Sequence, residues 1–395
     1  MGRKAVTRHV FKSFLLDLHV LKCLFNEGFE IAIYYIIDKW DRRETIMKEK
    51  AEYLHGGDVY HNSVSLDFSV NSNPLGMPRR SIGEAVRGIK LSGQYPDYRG
   101  EELCQELASW EKVHPENVLL GNGSAELIYA LCFAVKPKKC LTLAPTFQEY
   151  AKAVQAVGGK TEFVDLNERD CFRTPESILA AIEEDTDIVF ICNPNNPTGQ
   201  MTEQSLLFRI AAKCEATGTW LCVDECFLPF LPDEADYSMK RMMGRFSRLI
   251  VLRAFTKLFG MPGMRLGYML SSNSTILSAV RSSVQPWNTS LPAQLAGIAA
   301  LRDTEYVEKT RMLIARERTY LCDALRNGLA DKVYPTYANF ILFQARPDLA
   351  DRMQEKGILI RSCANFRNMS NRFFRIAVRT RKDNRRLIET WQSLS

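Results

Sequence analysis

Between Leu119 and Leu252 the chain repeats one pattern: a short apolar run, a polar or glycine-rich turn, then a longer helical stretch. The runs are Leu119-Leu120, Cys140-Leu-Thr-Leu-Ala144, Asp187-Ile-Val-Phe-Ile-Cys192, Thr219-Trp-Leu-Cys-Val-Asp224 and Leu249-Ile-Val-Leu252. Runs this short and this uniformly apolar read as strands covered on both faces, and the helical stretches between them supply the covers. The combination predicts an α/β fold with a mostly parallel sheet. Ligand-binding residues of such sheets gather just past the carboxyl ends of the strands, so those positions are where chemistry is sought.

The last run leads into Ala254-Phe-Thr-Lys257, with Gly260, Pro262 and Gly263 forcing an irregular loop behind it. Lys257 is thereby expected at a strand's end, where desolvation lowers an amine's pKa and makes it a nucleophile towards carbonyls. A lysine that snorkels to the surface is the alternative for the residue taken alone. Arg265 follows eight residues later, an always-charged fork suited to phosphate. Upstream, Gly121-Asn-Gly-Ser124 turns a strand into a helix, and the free amides of that helix start form a second phosphate cradle at Gly123 and Ser124. Phe147 offers a flat face to an aromatic ring, and Asn196 presents an amide from the turn Asn193-Pro-Asn-Asn-Pro-Thr-Gly199. Asp224 ends an apolar strand, so as a ligand-facing carboxylate it needs a cationic partner; capping a helix is its other reading.

The C-terminal part has a different rhythm. A long helical stretch runs from about Pro286 through Leu325, followed by strand-like runs at Asn339-Phe-Ile-Leu-Phe343, Ile358-Leu-Ile-Arg361 and Phe373-Phe-Arg-Ile-Ala-Val378. This reads as a smaller α+β domain carrying Arg361, Arg375 and Arg379. Each of these arginines either faces a ligand or sits on a solvated strand face. Near the other end, His55-Gly-Gly-Asp58 and Asn71-Ser-Asn-Pro-Leu-Gly76 are turns that let backbone approach a ligand; the alternative for His55 is a loop histidine bonding its own backbone. Gln94-Tyr-Pro-Asp-Tyr-Arg-Gly100 is another loop, leading into a helix over Glu101 to Lys112. The expected division is an N-terminal extension (1–46), a segment contributing to the small domain and active site (47–95), a large domain (96–285) and a small domain (286–395).

Residues 1–46 carry eight basic and six acidic side chains. The apolar stretch from Phe14 to Ile37 is interrupted by Asp17, His19, Lys22, Asn26, Glu27 and Glu30, which argues against a membrane span or a signal peptide. It reads as an amphipathic appendage or as a leader upstream of a true start at Met47. A net charge of +6, with Lys and Arg scattered over 395 residues, suits small acidic substrates and does not argue for nucleic acid. Eleven cysteines with no CxxC pair, several inside apolar runs, read as buried hydrophobes of a reducing cytoplasm. Five histidines form no ligand cluster, and no metal site is expected.

The spacing of Lys257 and Arg265 resembles the cofactor lysine and phosphate-binding arginine of the fold-type I pyridoxal-phosphate enzymes, the aspartate aminotransferase superfamily of class I/II. The resemblance runs from about His55 to the C-terminus. Within it the chain is similar to the branch holding histidinol-phosphate aminotransferase and threonine-phosphate decarboxylase. It implies a large domain with a mostly parallel mixed sheet plus a smaller α+β domain, and pyridoxal 5'-phosphate as cofactor. By that resemblance Lys257 holds the cofactor covalently, Asp224 pairs with its ring nitrogen, Asn196 bonds its phenolate oxygen and Phe147 stacks on its ring. Gly123, Ser124, Thr256 and Arg265 hold its phosphate, with Tyr95 reaching in from the partner subunit of a homodimer. Arg375 grips the substrate carboxylate, while Arg361, His55, Arg379 and Asn73 complete the substrate site. Phe227 departs from the pattern, since many relatives have tyrosine there, and one hydrogen bond to the phenolate oxygen is lost.

Several details resemble the decarboxylase of cobalamin biosynthesis: His55-Gly-Gly-Asp, Asn73-Pro-Leu-Gly, Tyr95-Pro-Asp-Tyr-Arg-Gly, Phe227, Gln285-Pro-Trp-Asn and Gly357-Ile-Leu-Ile-Arg-Ser-Cys. The expectation is a lyase acting on O-phosphothreonine or O-phosphoserine, with a histidinol-phosphate-type aminotransferase as the alternative. A cofactor-fold sensor fused to a DNA-binding module is a third reading, but residues 1–46 are short and show no recognition helix.

Overall fold

The computed structural model describes residues 55–61 and 64–394. The readings made for residues 1–46, including the apolar stretch and the start at Met47, lie outside the described residues. From Gly56 onward the chain forms one compact unit. Among the described residues no helix is long and apolar enough to cross a membrane.

The first strand is short, β1 (Leu66–Asp67). The central sheet follows: β2 (Val118–Gly121), β3 (Lys139–Ala144), β4 (Lys160–Asp165), β5 (Ile188–Cys192), β6 (Trp220–Asp224), β7 (Leu249–Ala254) and β8 (Gly267–Leu270). Its order is β2-β8-β7-β6-β5-β3-β4. Only β8 runs against its neighbours; every other pairing in this sheet is parallel. The alternation of side chains along a strand explains the apolar runs. Val189, Ile191, Val223 and Val251 point into one buried cluster, while Phe190, Cys192, Cys222, Ile250 and Leu252 point into another on the opposite face. Helices Ser124–Val135, Glu149–Ala156 and Ser274–Arg281 cover the second face through Leu127, Leu131, Tyr150 and Val280. Helices Glu101–Glu111, Gln204–Thr217 and Leu291–Leu301 contribute Leu103, Leu107, Leu207, Ile210 and Ala296 to the first.

A second sheet holds β9 (Lys332–Val333), β10 (Phe340–Gln344), β12 (Arg361–Ser362) and β13 (Phe373–Ala377), all antiparallel, in the order β12-β13-β10-β9. β11 (Ile358–Leu359) pairs instead with β1, Leu66 opposite Ile358, so the N-terminal segment is stitched to the C-terminal part.

Several boundaries differ from the sequence reading. The run Ile358 to Arg361 is two strands with separate partners, broken at Ile360. The long helical stretch is two helices, Leu291–Leu301 and Thr304–Ala324, because Asp303 accepts the amide of Tyr306 and starts a new helix. The first large-domain helix stops at Glu111, with Lys112 in the left-handed region at φ 57°. Lys257 does not end its strand: β7 stops at Ala254, and the lysine sits on the short helical turn Phe255–Leu258 just beyond. Strands β4 and β8 carried no readable run. β4 is an edge strand with mostly polar side chains, and β8 spans only four residues, the first of them a glycine.

One buried charge network braces the turn after β6. Arg253, 1% exposed on β7, donates to Glu225 at 2.8 Å and to Glu234 at 2.7 Å. Glu225 also accepts from Ser238 (2.6 Å) and from the Met239 amide (2.7 Å). Lys240 and the Tyr268 hydroxyl hold the buried Glu111, and Arg311 reaches Glu234 at 3.4 Å. Three carboxylates meet three cations, so the cluster is charge-balanced in a region that would otherwise penalise each of them.

Candidate active site

The ends of the parallel strands assemble most of the singled-out residues. Gly123 and Ser124 follow β2, Phe147 follows β3, Asn196 follows β5, Asp224 closes β6, and Thr256 and Lys257 follow β7. All lie at the carboxyl ends of their strands, on one edge of the sheet. The turns there are tied to each other. Asn195 donates to the carbonyl of Pro145 (2.9 Å) and accepts from Thr146 (2.6 Å), which fixes the segment after β5 against the segment after β3.

Asp224 is buried, yet no cation bonds it among the described residues. Its oxygens accept from the Tyr150 hydroxyl at 2.8 Å and the Cys226 amide at 3.0 Å. Among the described residues its hydrogen-bond donors are neutral, so the expected cationic partner is not a side chain of these residues. A buried anion so placed fits a ligand with a protonated nitrogen. Tyr150 was not foreseen. It stacks on Phe190 with ring centroids 4.9 Å apart and meets Phe147 edge-on at 5.5 Å, and the only signal for it was that a buried carboxylate must be satisfied.

Lys257 is partly buried with its amine 5.3 Å from the centre of the Phe227 ring. Burial holds its pKa below the usual lysine range; Cys226 and Asp224 pull upward, while Arg375 and Arg265 push further down. An amine depressed in this way has more of its neutral, nucleophilic form at neutral pH.

An anion cradle forms where Gly123 and the start of the Ser124–Val135 helix meet Arg265. Gly123, at φ 81°, precedes the Ser124–Val135 helix, whose first amides receive no side-chain cap. A Cβ on Gly123 would lie 2.6 Å from Arg265 Nη2, so the guanidinium rests directly on the glycine backbone. Arg265 itself is exposed, and among the described residues its one hydrogen bond goes to the carbonyl of Pro262 at 3.2 Å. Ser124 Oγ receives the Cys226 thiol at 3.5 Å. Uncapped amides beside an uncommitted guanidinium fit an anion.

Arg361 and Arg375 stand directly opposite each other on the paired strands β12 and β13. They are 8% and 6% exposed. Neither forms an ion pair with a carboxylate among the described residues; each is held by neutral oxygens. Arg375 donates to Asn196 Oδ1 and to the carbonyl of Ser69 (2.9 Å), and its Nε has no partner. Arg361 donates to Asn365 Oδ1 at 2.8 Å and lies over the Phe366 ring at 5.5 Å. Burial lowers the Arg375 pKa to about 10, opposed by Cys363 and reinforced by Arg361, and burial lowers Arg361 as well. Both remain charged at neutral pH. Two adjacent buried cations with neutral holders demand anions from outside.

The other singled-out residues are placed differently. Arg379 is committed to Asp383 at 3.3 Å and to the carbonyl of Asp67 at 3.0 Å. Asn73 donates to the carbonyl of Leu258 (2.6 Å) and to Thr310 (2.8 Å), tying the N-terminal segment to the turn that carries Lys257. Tyr95 is 76% exposed and stacks on Trp287 at 4.4 Å. His55 is exposed. Asn365, Phe366 and Ser69, which hold the two arginines, went unnoticed because loop residues acting through another side chain leave no periodic or motif signal.

The family model for aminotransferase class I and II matches residues 64–390. A threonine-phosphate decarboxylase of Salmonella typhimurium is 33% identical over 345 residues, covering 85% of this chain and 94% of that protein. A histidinol-phosphate aminotransferase of Methanosarcina mazei is 31% identical over 369 residues, covering 89% and 97%. The crystal structure of the histidinol-phosphate aminotransferase from Clostridium acetobutylicum superposes with a TM-score of 0.79 at 29% identity, over 83% of this chain and 98% of that one. The chain belongs to the aminotransferase class I and II family.

Proposed function

We propose that this protein is a pyridoxal-phosphate enzyme that decarboxylates an O-phospho-amino acid, O-phosphothreonine or O-phosphoserine, to a phosphorylated amino alcohol of the kind cobalamin biosynthesis uses. The observation that carries the reading is the pair Arg361 and Arg375, buried side by side with neutral holders. A substrate bearing both a phosphate and a carboxylate satisfies both cations at once. In this reading Arg375 takes the carboxylate and Arg361 the phosphate, with Arg379 and His55 as further basic residues of the substrate site.

The residues on the sheet edge fit the cofactor. Bound there, pyridoxal phosphate supplies an electron-withdrawing ring that stabilises negative charge at the substrate's α-carbon. Lys257 would hold it covalently, using the amine that burial has made nucleophilic. Asp224, backed by Tyr150, would keep a proton on the ring nitrogen. Phe147 offers the ring a face, and Asn196 offers its amide while its oxygen steadies Arg375. Gly123, Ser124, Thr256 and Arg265 would receive the phosphate. With cofactor and substrate clamped at separate points, orientation selects which bond at the α-carbon breaks. Tyr95 would act across a homodimer. Support for a second copy comes from its exposure and from Ile82, Val86 and Ile89, exposed along one side of the Arg79–Lys90 helix.

The reading is tested by incubating the holoenzyme with O-phosphothreonine and no keto acid. The expected products are CO2 and a phosphorylated amino alcohol. A second reading, amino transfer in the manner of the histidinol-phosphate aminotransferases to which the chain is similar, requires 2-oxoglutarate and yields glutamate without CO2. That outcome overturns the decarboxylase reading.

A further inference from the structure

Residues 363–372 join β12 to β13, but they also reach across to the edge of the central sheet. Gln148, next to Phe147, donates from Nε2 to the carbonyl of Asn365. Asn368 donates to Asp165, on the edge strand β4, at 2.6 Å. The Arg367 guanidinium lies 4.6 Å over the Phe163 ring and 3.8 Å from Asp165. Beneath this strap lies a cavity of about 310 Å³, lined in part by Phe147, Gln148, Phe163, Asn365 and Phe366.

Among the described residues the strap supplies the side-chain contacts that hold Arg361, the Asn365 amide oxygen at 2.8 Å and the Phe366 ring at 5.5 Å. Asn365 therefore faces two ways: its backbone is anchored by Gln148 and its side chain anchors Arg361. The acceptor is a neutral amide, which orients a guanidinium without cancelling its charge, whereas a carboxylate there would neutralise it. A long side chain fixed before its anion arrives loses less freedom on binding.

We infer that Asn365, anchored by Gln148 and by the strap's hold on β4, is the positioning residue for Arg361 and sets how tightly the site holds a phosphate group. The inference rests on the reading that Arg361 takes the substrate phosphate. It adds that the central sheet's edge, through side chains that touch neither cofactor nor substrate, controls that affinity.

The test titrates inorganic phosphate into the pyridoxal-phosphate-loaded full-length protein and compares Arg361→Ala, Asn365→Leu, Asn365→Asp, Gln148→Met and Asp165→Ala. Asn365→Leu should weaken phosphate about tenfold or more, since a bond to a charged group is lost. Asn365→Asp should also weaken it, through neutralisation, which a merely structural role would not cause. Gln148→Met and Asp165→Ala should weaken it several-fold, raise KM for the phosphorylated substrate and leave kcat nearly unchanged. Asp165 is exposed, so its variant carries the test even if the others fail to accumulate. If Arg361→Ala loses phosphate binding while the strap variants that fold bind it as wild type does, the strap inference falls and the phosphate reading stands. If Arg361→Ala binds phosphate as well as wild type, both fall.

Discussion

Replacing Arg253 with methionine is expected to destabilise the protein severely and in a pH-dependent way. The side chain is 1% exposed and bonds two carboxylates, Glu225 and Glu234. Methionine fills similar space but leaves Glu225 buried with only Ser238 and the Met239 amide. Breaking a buried pair from one side costs about 3–5 kcal/mol, which for a chain of this size lowers Tm by about 4–7 °C. Burial already raises the Glu225 pKa, and Arg253 is the strongest influence opposing it. Without Arg253 the pKa rises further. An acid whose pKa is higher folded than unfolded takes up a proton on folding, so its folded state is favoured at low pH and loses ground as pH rises through the folded value. The deficit should therefore be smaller near pH 5 than near pH 8, and Glu225→Gln in the variant background should recover part of it. Thermal unfolding at the two pH values, followed by circular dichroism at one scan rate, measures both effects. A deficit below about 1 kcal/mol, or one that grows as pH falls, would refute the view that this network is a balanced ionic brace.

Two further outcomes follow from the site. Arg361→Ala should lower kcat/KM for the phosphorylated substrate by roughly 2–4 kcal/mol of transition-state stabilisation, tens to about a thousandfold, in a CO2-release assay; an unchanged value removes Arg361 from the substrate site. Gly123→Ala should weaken cofactor binding and cost about 1–2 kcal/mol of stability, because φ is 81° and the new Cβ meets Arg265; equilibrium dialysis of pyridoxal phosphate and thermal unfolding read the two effects separately.

How much of this was legible in the sequence depends on whether a residue acts through its own pattern. The buried strands β3, β5, β6 and β7 were readable because both faces are covered, so most positions are apolar and the exceptions, such as Arg253 and Asp224, are paired or face the site. β4 was not readable, since an edge strand with one wet face carries Lys160, Thr161 and Glu162. The strand-end positions of Asn196 and Asp224 came from that same pattern, and the structure sets them on the same sheet edge as the Lys257 turn. The neutral holders of the arginines were not legible. Ser69 contributes only a backbone carbonyl, and Asn365 lies in a loop whose contact with Gln148 spans 217 residues of sequence. For Asp224 the need for a partner was legible, but not the Tyr150 hydroxyl that backs it from inside the protein, because that donor lies 74 residues away in sequence.

The proposed function requires that the lysine just past β7 be the one that carries the cofactor. Borohydride reduction of the yellow holoenzyme fixes the cofactor–lysine linkage as a stable amine, and peptide mass spectrometry then locates it. Lys257 alone should be modified, with the visible band absent from Lys257→Ala. Modification at another lysine, or a band that survives in that variant, would contradict it.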